Sequence, residues 1–134
     1  DFAYNFARGK IKKMIKTNKV QFLKEGIFST VLYFDSGDIV KYNSIWNRPA
    51  PWSVQVSTKK YFIELKPIEE ISFLTDKSRK WKTSKKSIFD KKYKPGIYLL
   101  LQEVLKLKKG KKTNLQNLKY SNKLMKLIRK IYFD

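Results

Sequence analysis

The chain has 134 residues, 42% hydrophobic and 15% aromatic, which is material for one domain spanning 1–134 with one core and not the composition of a disordered segment. It contains no cysteine and no histidine, so disulfides, thiolate metal sites and the commonest metal ligand and general base are excluded, and with them most zinc, thiol-protease and serine-hydrolase readings. Its 31 basic and 11 acidic side chains give a net charge of +20, which directs attention to acidic partners.

In chain order, Asp1 to Arg8 places Phe2 and Phe6 on one helical face, and Gly9 follows where a helix would stop. Starting inside a helix and without a methionine, the chain reads as a piece of something longer. Lys10 to Lys16 alternates imperfectly and Val20 to Leu23 is a second short apolar stretch, so both are expected as strands. Ile27–Phe34 and Ile39–Trp46 are β-branched and aromatic and are separated by Asp35-Ser36-Gly37-Asp38, which predicts a hairpin. Prolines at 49 and 51 interrupt any ladder. Trp52–Ser57 and Tyr61–Leu65 follow as strands joined through Lys59-Lys60, and Ile71–Leu74 adds a short one beyond Pro67. The lysine-rich stretch Thr75–Lys92 is expected as a loop. Pro95 then opens a helix in which Ile97, Leu100, Leu101, Val104 and Leu105 recur at helical spacing as far as Gly110, and these apolar residues are expected in the core. The capping box Thr113-x-x-Gln116 predicts a last helix with Leu115, Leu118, Leu124, Leu127, Ile128 and Ile131 as its buried stripe.

Strands followed by helices imply an α+β fold: a mostly antiparallel sheet with helices packed on one face. The open face is then available for a substrate side or for dimerisation, with Tyr33, Tyr42, Trp46 and Trp52 as its aromatic surface. No apolar run approaches the roughly 18 residues that cross a bilayer, and the amino end lacks a secretion-signal layout, so no membrane and a cytoplasmic location are expected. The basic residues are nearly all lysine, with arginine at 8, 48, 79 and 129, although arginine reads phosphate forks and guanine edges best. The surplus of Asn, Ile, Phe, Tyr and Lys is also the bias of an AT-rich genome. Charge alone therefore does not assign nucleic acid as the partner.

Four segments, in order, resemble one family, the Gfo/Idh/MocA oxidoreductases, named after glucose-fructose oxidoreductase and inositol dehydrogenase. Trp46-Asn47-x-Pro49-Ala50-Pro51-Trp52-Ser53-Val54 resembles a segment in which an aromatic-Asn pair leads through a loop into a Trp-Ser strand. Tyr61-x-x-Glu64-Leu65-Lys66-Pro67-Ile68-Glu69-Glu70-Ile71 is similar to a strand-ending Leu-Lys-Pro-Leu-Glu-Glu-Leu run. Tyr93-Lys94-Pro95-Gly96-Ile97-Tyr98 is similar to the Phe-Lys-Pro-Gly-Phe-Tyr start of a helix, and Leu124 to Tyr132 resembles the closing helix. The resemblance implies a C-terminal, substrate-side and dimerisation domain of an NAD(P)-dependent sugar oxidoreductase. It also implies an N-terminal Rossmann domain and a catalytic lysine and histidine outside this chain. Asp1 to Gly9 is similar to the second half of the family's His-x-x-Asp helix. Lys66-Pro67 follows Leu65 rather than Glu, so Lys66 is not assigned the family's lysine role.

No Gly-x-Gly-x-x-Gly occurs, so no cofactor site is expected in this chain, and NAD or NADP is implied only for the full-length protein. The resemblance casts this domain as a wall for a sugar or nucleotide-sugar, with self-association through the sheet. Asn47, Arg48 and Trp52 combine polar tips with an aromatic plane in a proline-broken loop, which suits a sugar. Packed aromatics and a solvated arginine account for the same residues. Tyr93 and Lys94 precede a helix start, where amides favour an anion such as a nucleotide-sugar phosphate, and capping explains them equally well. Adjacent Glu69 and Glu70 point apart and cannot share a substrate atom, and Asp35 and Asp38 are turn residues; no catalytic residue and no metal ligand is assigned. The alternative is a lysine-rich module that binds nucleic acid or another acidic surface.

Overall fold

The computed structural model describes residues 2–16 and 26–133. Helix α1 (Phe2–Phe6) leads through Gly9 into β1 (Ile11–Lys16), β2 (Ile27–Phe34) and β3 (Ile39–Ile45), which form a three-stranded antiparallel sheet in the order β1-β2-β3. Strands β4 (Val54–Ser57), β5 (Tyr61–Leu65), β6 (Ile71–Thr75) and β7 (Ser78–Thr83) form a second antiparallel sheet in sequence order. Three helices close the chain: α2 (Ile88–Lys92), α3 (Ile97–Lys108) and α4 (Leu118–Tyr132). The protein is therefore α+β with mostly antiparallel strands. The strand expected at Val20–Leu23 lies outside the described residues.

The strands divide between two sheets, whereas the sequence suggested one continuous meander. Both prolines of the 46–53 linker lack an N–H and fix φ, so the ladder of β2 and β3 cannot continue into β4. Helix α1 lies beside both β3 and β4 and so touches the two sheets.

In the first sheet the period-2 alternation of β2 decides the packing. Phe28, Thr30, Leu32 and Phe34 are buried, while Ile27, Ser29, Val31 and Tyr33 between them are half-buried. The buried face carries the helices: Tyr4 of α1 packs on Phe34 with ring centroids 6.2 Å apart, and Tyr132 of α4 packs on Phe28 at 5.1 Å. The imperfect alternation of β1 has a local cause. A register shift between Ile11 and Lys13 absorbs one residue, so Ile11 and Met14 both pair with buried positions of β2, Phe34 and Leu32. The hydroxyl of buried Thr30 donates to the Ile15 carbonyl at 3.0 Å, which removes the penalty of a buried polar group.

The stretch expected as a loop over Thr75–Lys92 holds β7 and α2. Strand β7, Ser-Arg-Lys-Trp-Lys-Thr, is an edge strand, and lysines on an edge keep other chains from pairing there while looking like loop composition. Its one large apolar side chain, Trp81, meets Phe62 edge-on at 6.0 Å. Helix α2 is capped by Ser87, whose hydroxyl accepts from the amides of Phe89 and Asp90.

The last two helices also depart from expectation. The N-cap of α4 is Asn117, whose side chain accepts from the Tyr120 amide at 2.9 Å, and Thr113 instead closes a turn by accepting from the Leu115 amide. Leu118 is therefore exposed at the helix start, and the inward stripe is Tyr120, Leu124, Leu127, Ile128 and Ile131. In α3 every apolar residue from Ile97 to Leu107 except half-buried Tyr98 is exposed, so these leucines are not core. Their 3.6-residue spacing produced a helix whose leucines no neighbour covers among the described residues. Helix α3 is tied to α2 by the stacking of Phe89 on Tyr98 at 3.9 Å and to the following loop by Glu103, which accepts from the Asn114 amide at 2.7 Å.

Candidate functional site

The open end of the β2–β3 hairpin, opposite its Asp35–Asp38 turn, sets the position of the 46–53 loop. The Trp46 amide donates to the Gly26 carbonyl at 2.8 Å, extending the β2–β3 ladder one step beyond the Ile27–Ile45 pair. Asn47 then sits against Gly26, which has φ of 66°; a Cβ there would come within 3.0 Å of both the backbone nitrogen and the side chain of Asn47. Glycine at 26 thus serves two needs, a left-handed backbone and room for Asn47. Sequence reading missed Gly26, because it is 21 residues from the residue it seats and its neighbours give no motif.

Beyond Asn47 the loop is held by its prolines and projects its large side chains outward. Trp46 is 66% exposed and Trp52 is 84% exposed, with Asn47 and Arg48 exposed between them. An indole left in water forgoes most of the burial that makes tryptophan a core residue, at about 25 cal/mol per Å². Two indoles and two hydrogen-bonding side chains thus lie exposed within the seven residues 46–52, an amphipathic surface. Asn47, Arg48 and Trp52 are thereby brought together in one segment. Tyr93 and Lys94 lie elsewhere, in the connection between α2 and α3, and no described contact joins them to the loop.

At that second place, Asp90 occupies the position an anion would take. Its carboxylate accepts from the Gly96 amide, the N-cap of α3, at 3.0 Å, and Lys92 lies over the Tyr93 ring at 5.7 Å. The α2–α3 junction thus supplies its own negative group. A shallow depression of about 250 Å³ lies at the β4–β5 turn between Ser57 and Phe62 and beside Leu74–Asp76, and none of the five candidate residues lines it.

The titratable groups with clear shifts are structural. The Asp38 carboxylate accepts from the Arg8 guanidinium at 2.7 and 3.0 Å and from the Arg8 amide at 2.8 Å, which lowers it to about 2. Asp35 accepts from the Lys10 amide at 2.9 Å, so both turn aspartates reach back 25 to 30 residues rather than serving the turn alone. Glu103 is lowered to about 2 by Lys106 first and by the Asn114 amide second. Tyr42 is raised to about 12 by burial and by its 2.6 Å hydrogen bond with the Tyr132 hydroxyl. That bond puts Tyr42 on the helix-covered side of the first sheet; of the four aromatics expected on the open side, Tyr42 is the one turned inward.

Among the described residues no group of three or more His, Cys, Asp or Glu side chains could hold a metal, and no helix is long and apolar enough to cross a membrane. No protein-family model, no curated protein and no solved structure matches the chain.

Proposed function

We propose that the chain is the substrate-side domain of a cytoplasmic NAD(P)-dependent sugar oxidoreductase of the Gfo/Idh/MocA type, and that the 46–53 loop is its sugar-facing wall. The observation that carries this reading is the exposure of Trp46 and Trp52 on either side of Asn47 and Arg48. A sugar ring offers an apolar C–H face and a rim of hydroxyls. An indole plane takes the first, and an amide and a guanidinium take the second. The four ordered segments that resemble the family include this loop and the start of α3.

In such an enzyme the cofactor supplies the hydride chemistry from a separate nucleotide-binding domain. This chain's residues bind and orient: Trp52 and Trp46 fix the plane of the ring, and Asn47 and Arg48 fix its rotation. The chain by itself is inactive. The exposed apolar residues of α3 and the outer face of the first sheet, with Ile15, Ile39 and Ile45 at its surface, are where the partner domain and a second copy would pack.

Isothermal titration calorimetry with a panel of hexoses, hexose phosphates and nucleotide-sugars tests this. At least one probe is expected to bind saturably, and Trp52→Ala is expected to weaken it about tenfold, equivalent to about 1.4 kcal/mol. NADH is expected to give no saturable heat. Binding unaffected by Trp52→Ala, no sugar binding, or tight NADH binding would overturn the assignment.

A further inference from the structure

The exposed side of α4 is charged in a way that the sugar-facing loop does not use. Residues 118–132 contain Lys119, Lys123, Lys126, Arg129 and Lys130 and no acidic residue at all. At about 1.5 Å of rise and about 100° of turn per residue, Lys119, Lys123, Lys126 and Lys130 fall on one strip, spaced by about 6, 4.5 and 6 Å along the axis. Asn122 lies next to them, and Lys119, Asn122, Lys123 and Lys126 line an open trough of about 580 Å³. All four lysines are exposed.

The strip is presented on a fixed rod. The hydroxyl of Tyr120 donates to the Asn5 side chain at 2.6 Å, Lys123 extends over the Tyr4 ring at 5.6 Å, Ile131 is buried and Tyr132 is bonded to Tyr42. Three cations elsewhere in the molecule face carboxylates, Arg8 with Asp38, Lys86 with Glu70 and Lys106 with Glu103, whereas α4 has no carboxylate of its own. Like charges at i and i+4 repel and cost an isolated helix a few tenths of a kcal/mol per pair, a cost that a bound polyanion would reverse.

We propose that this lysine strip is a sequence-independent contact for the phosphate backbone of a nucleic acid. Lysine ammonium groups act as point charges without the forked geometry that reads bases, so they suit phosphate and not sequence. A duplex carries one phosphate per about 1.7 Å of axis, enough to face each of the four lysines. A nucleic acid is favoured over a lipid surface because the apolar stripe of α4, Leu124, Leu127, Ile128 and Ile131, is turned toward the protein, and the apolar side chains it leaves exposed, Leu118, Met125 and Phe133, stand about two turns apart and form no continuous wedge to enter a bilayer. The contact is separate from the 46–53 loop and does not depend on its role.

Fluorescence anisotropy with a labelled duplex of mixed sequence, over a salt series, tests the proposal. The wild-type chain is expected to bind with log K falling linearly against log salt concentration. Changing Lys119, Lys123, Lys126 and Lys130 together to Gln is expected to make that slope shallower by about 3 to 4, near 0.9 per lost phosphate contact. Lys126→Gln alone, at an exposed position, is expected to change it by about 1. A control removing four exposed lysines elsewhere, Lys59, Lys60, Lys80 and Lys82, is expected to leave most of the slope intact. Equal losses in both quadruple variants would mean that net charge alone binds and would overturn the assignment to α4. So would binding to phosphatidylserine vesicles without binding to the duplex.

Discussion

Single residues tie this molecule together across long stretches of chain. Asp38 receives three hydrogen bonds from Arg8, and Ser36 donates to the Arg8 carbonyl at 2.7 Å, so the tip of the β2–β3 hairpin clasps the turn between α1 and β1. Gly9, at φ of 79°, lies against Asp35 so closely that a Cβ would collide with that carboxylate. The Asp38 carboxyl is lowered in the folded state, so its contribution is present above its unfolded value near 4 and is lost as pH falls through about 2. Asp38→Asn is accordingly expected to lower stability at pH 7 and to converge with the wild type between about pH 4 and 2, as read from urea unfolding midpoints; because the pair is exposed, high salt should narrow the gap. Sequence reading recognised Asp35 and Asp38 as turn residues. Their distant partners were not legible, because a side chain's reach across 30 residues leaves no local pattern.

At the scale of elements, periodicity located most of what formed and said little about what covers it. The hairpin from Ile27 to Ile45 followed from β-branched alternation and a glycine-containing turn, and it is the best-buried part of the molecule. Strand β7 escaped notice because an edge strand needs few apolar residues, and α2 because its Ser87-x-x-Asp90 start lies in a lysine-rich stretch. Helix α3 shows the opposite failure: its leucine spacing is that of a core helix, yet Leu99, Leu101 and Leu107 are each more than half exposed. Truncation separates the two cases. Phe28→Ala, at 1% exposure, is expected to cost about 3–5 kcal/mol, and Leu101→Ala less than about 1 kcal/mol, measured by chemical denaturation. A large loss at Leu101 would show that α3 is packed in solution.

For the whole molecule, the proline-broken linker is the decisive feature. It ends one sheet, begins another, and holds an exposed Trp-Asn-Arg and Trp surface where they part. That Asn47 and Arg48 lie in a loop was legible from the prolines; that Trp46 and Trp52, expected as strand residues, fall outside β3 and β4, and that the strands on either side join different sheets, was not, because strand ends and pairing are settled by tertiary packing. The five residues singled out in sequence fall in two places: Asn47, Arg48 and Trp52 in this loop, and Tyr93 and Lys94 at a helix junction already served by Asp90. The proposed sugar-facing role therefore rests on the first group. Two-dimensional NMR of the ¹⁵N-labelled chain, titrated with the same sugars and sugar phosphates, follows the three indole N–H signals separately. The account predicts that those of Trp46 and Trp52 move together and saturate while that of Trp81, on β7, stays in place; movement of Trp81 alone, or of none of the three, would contradict it.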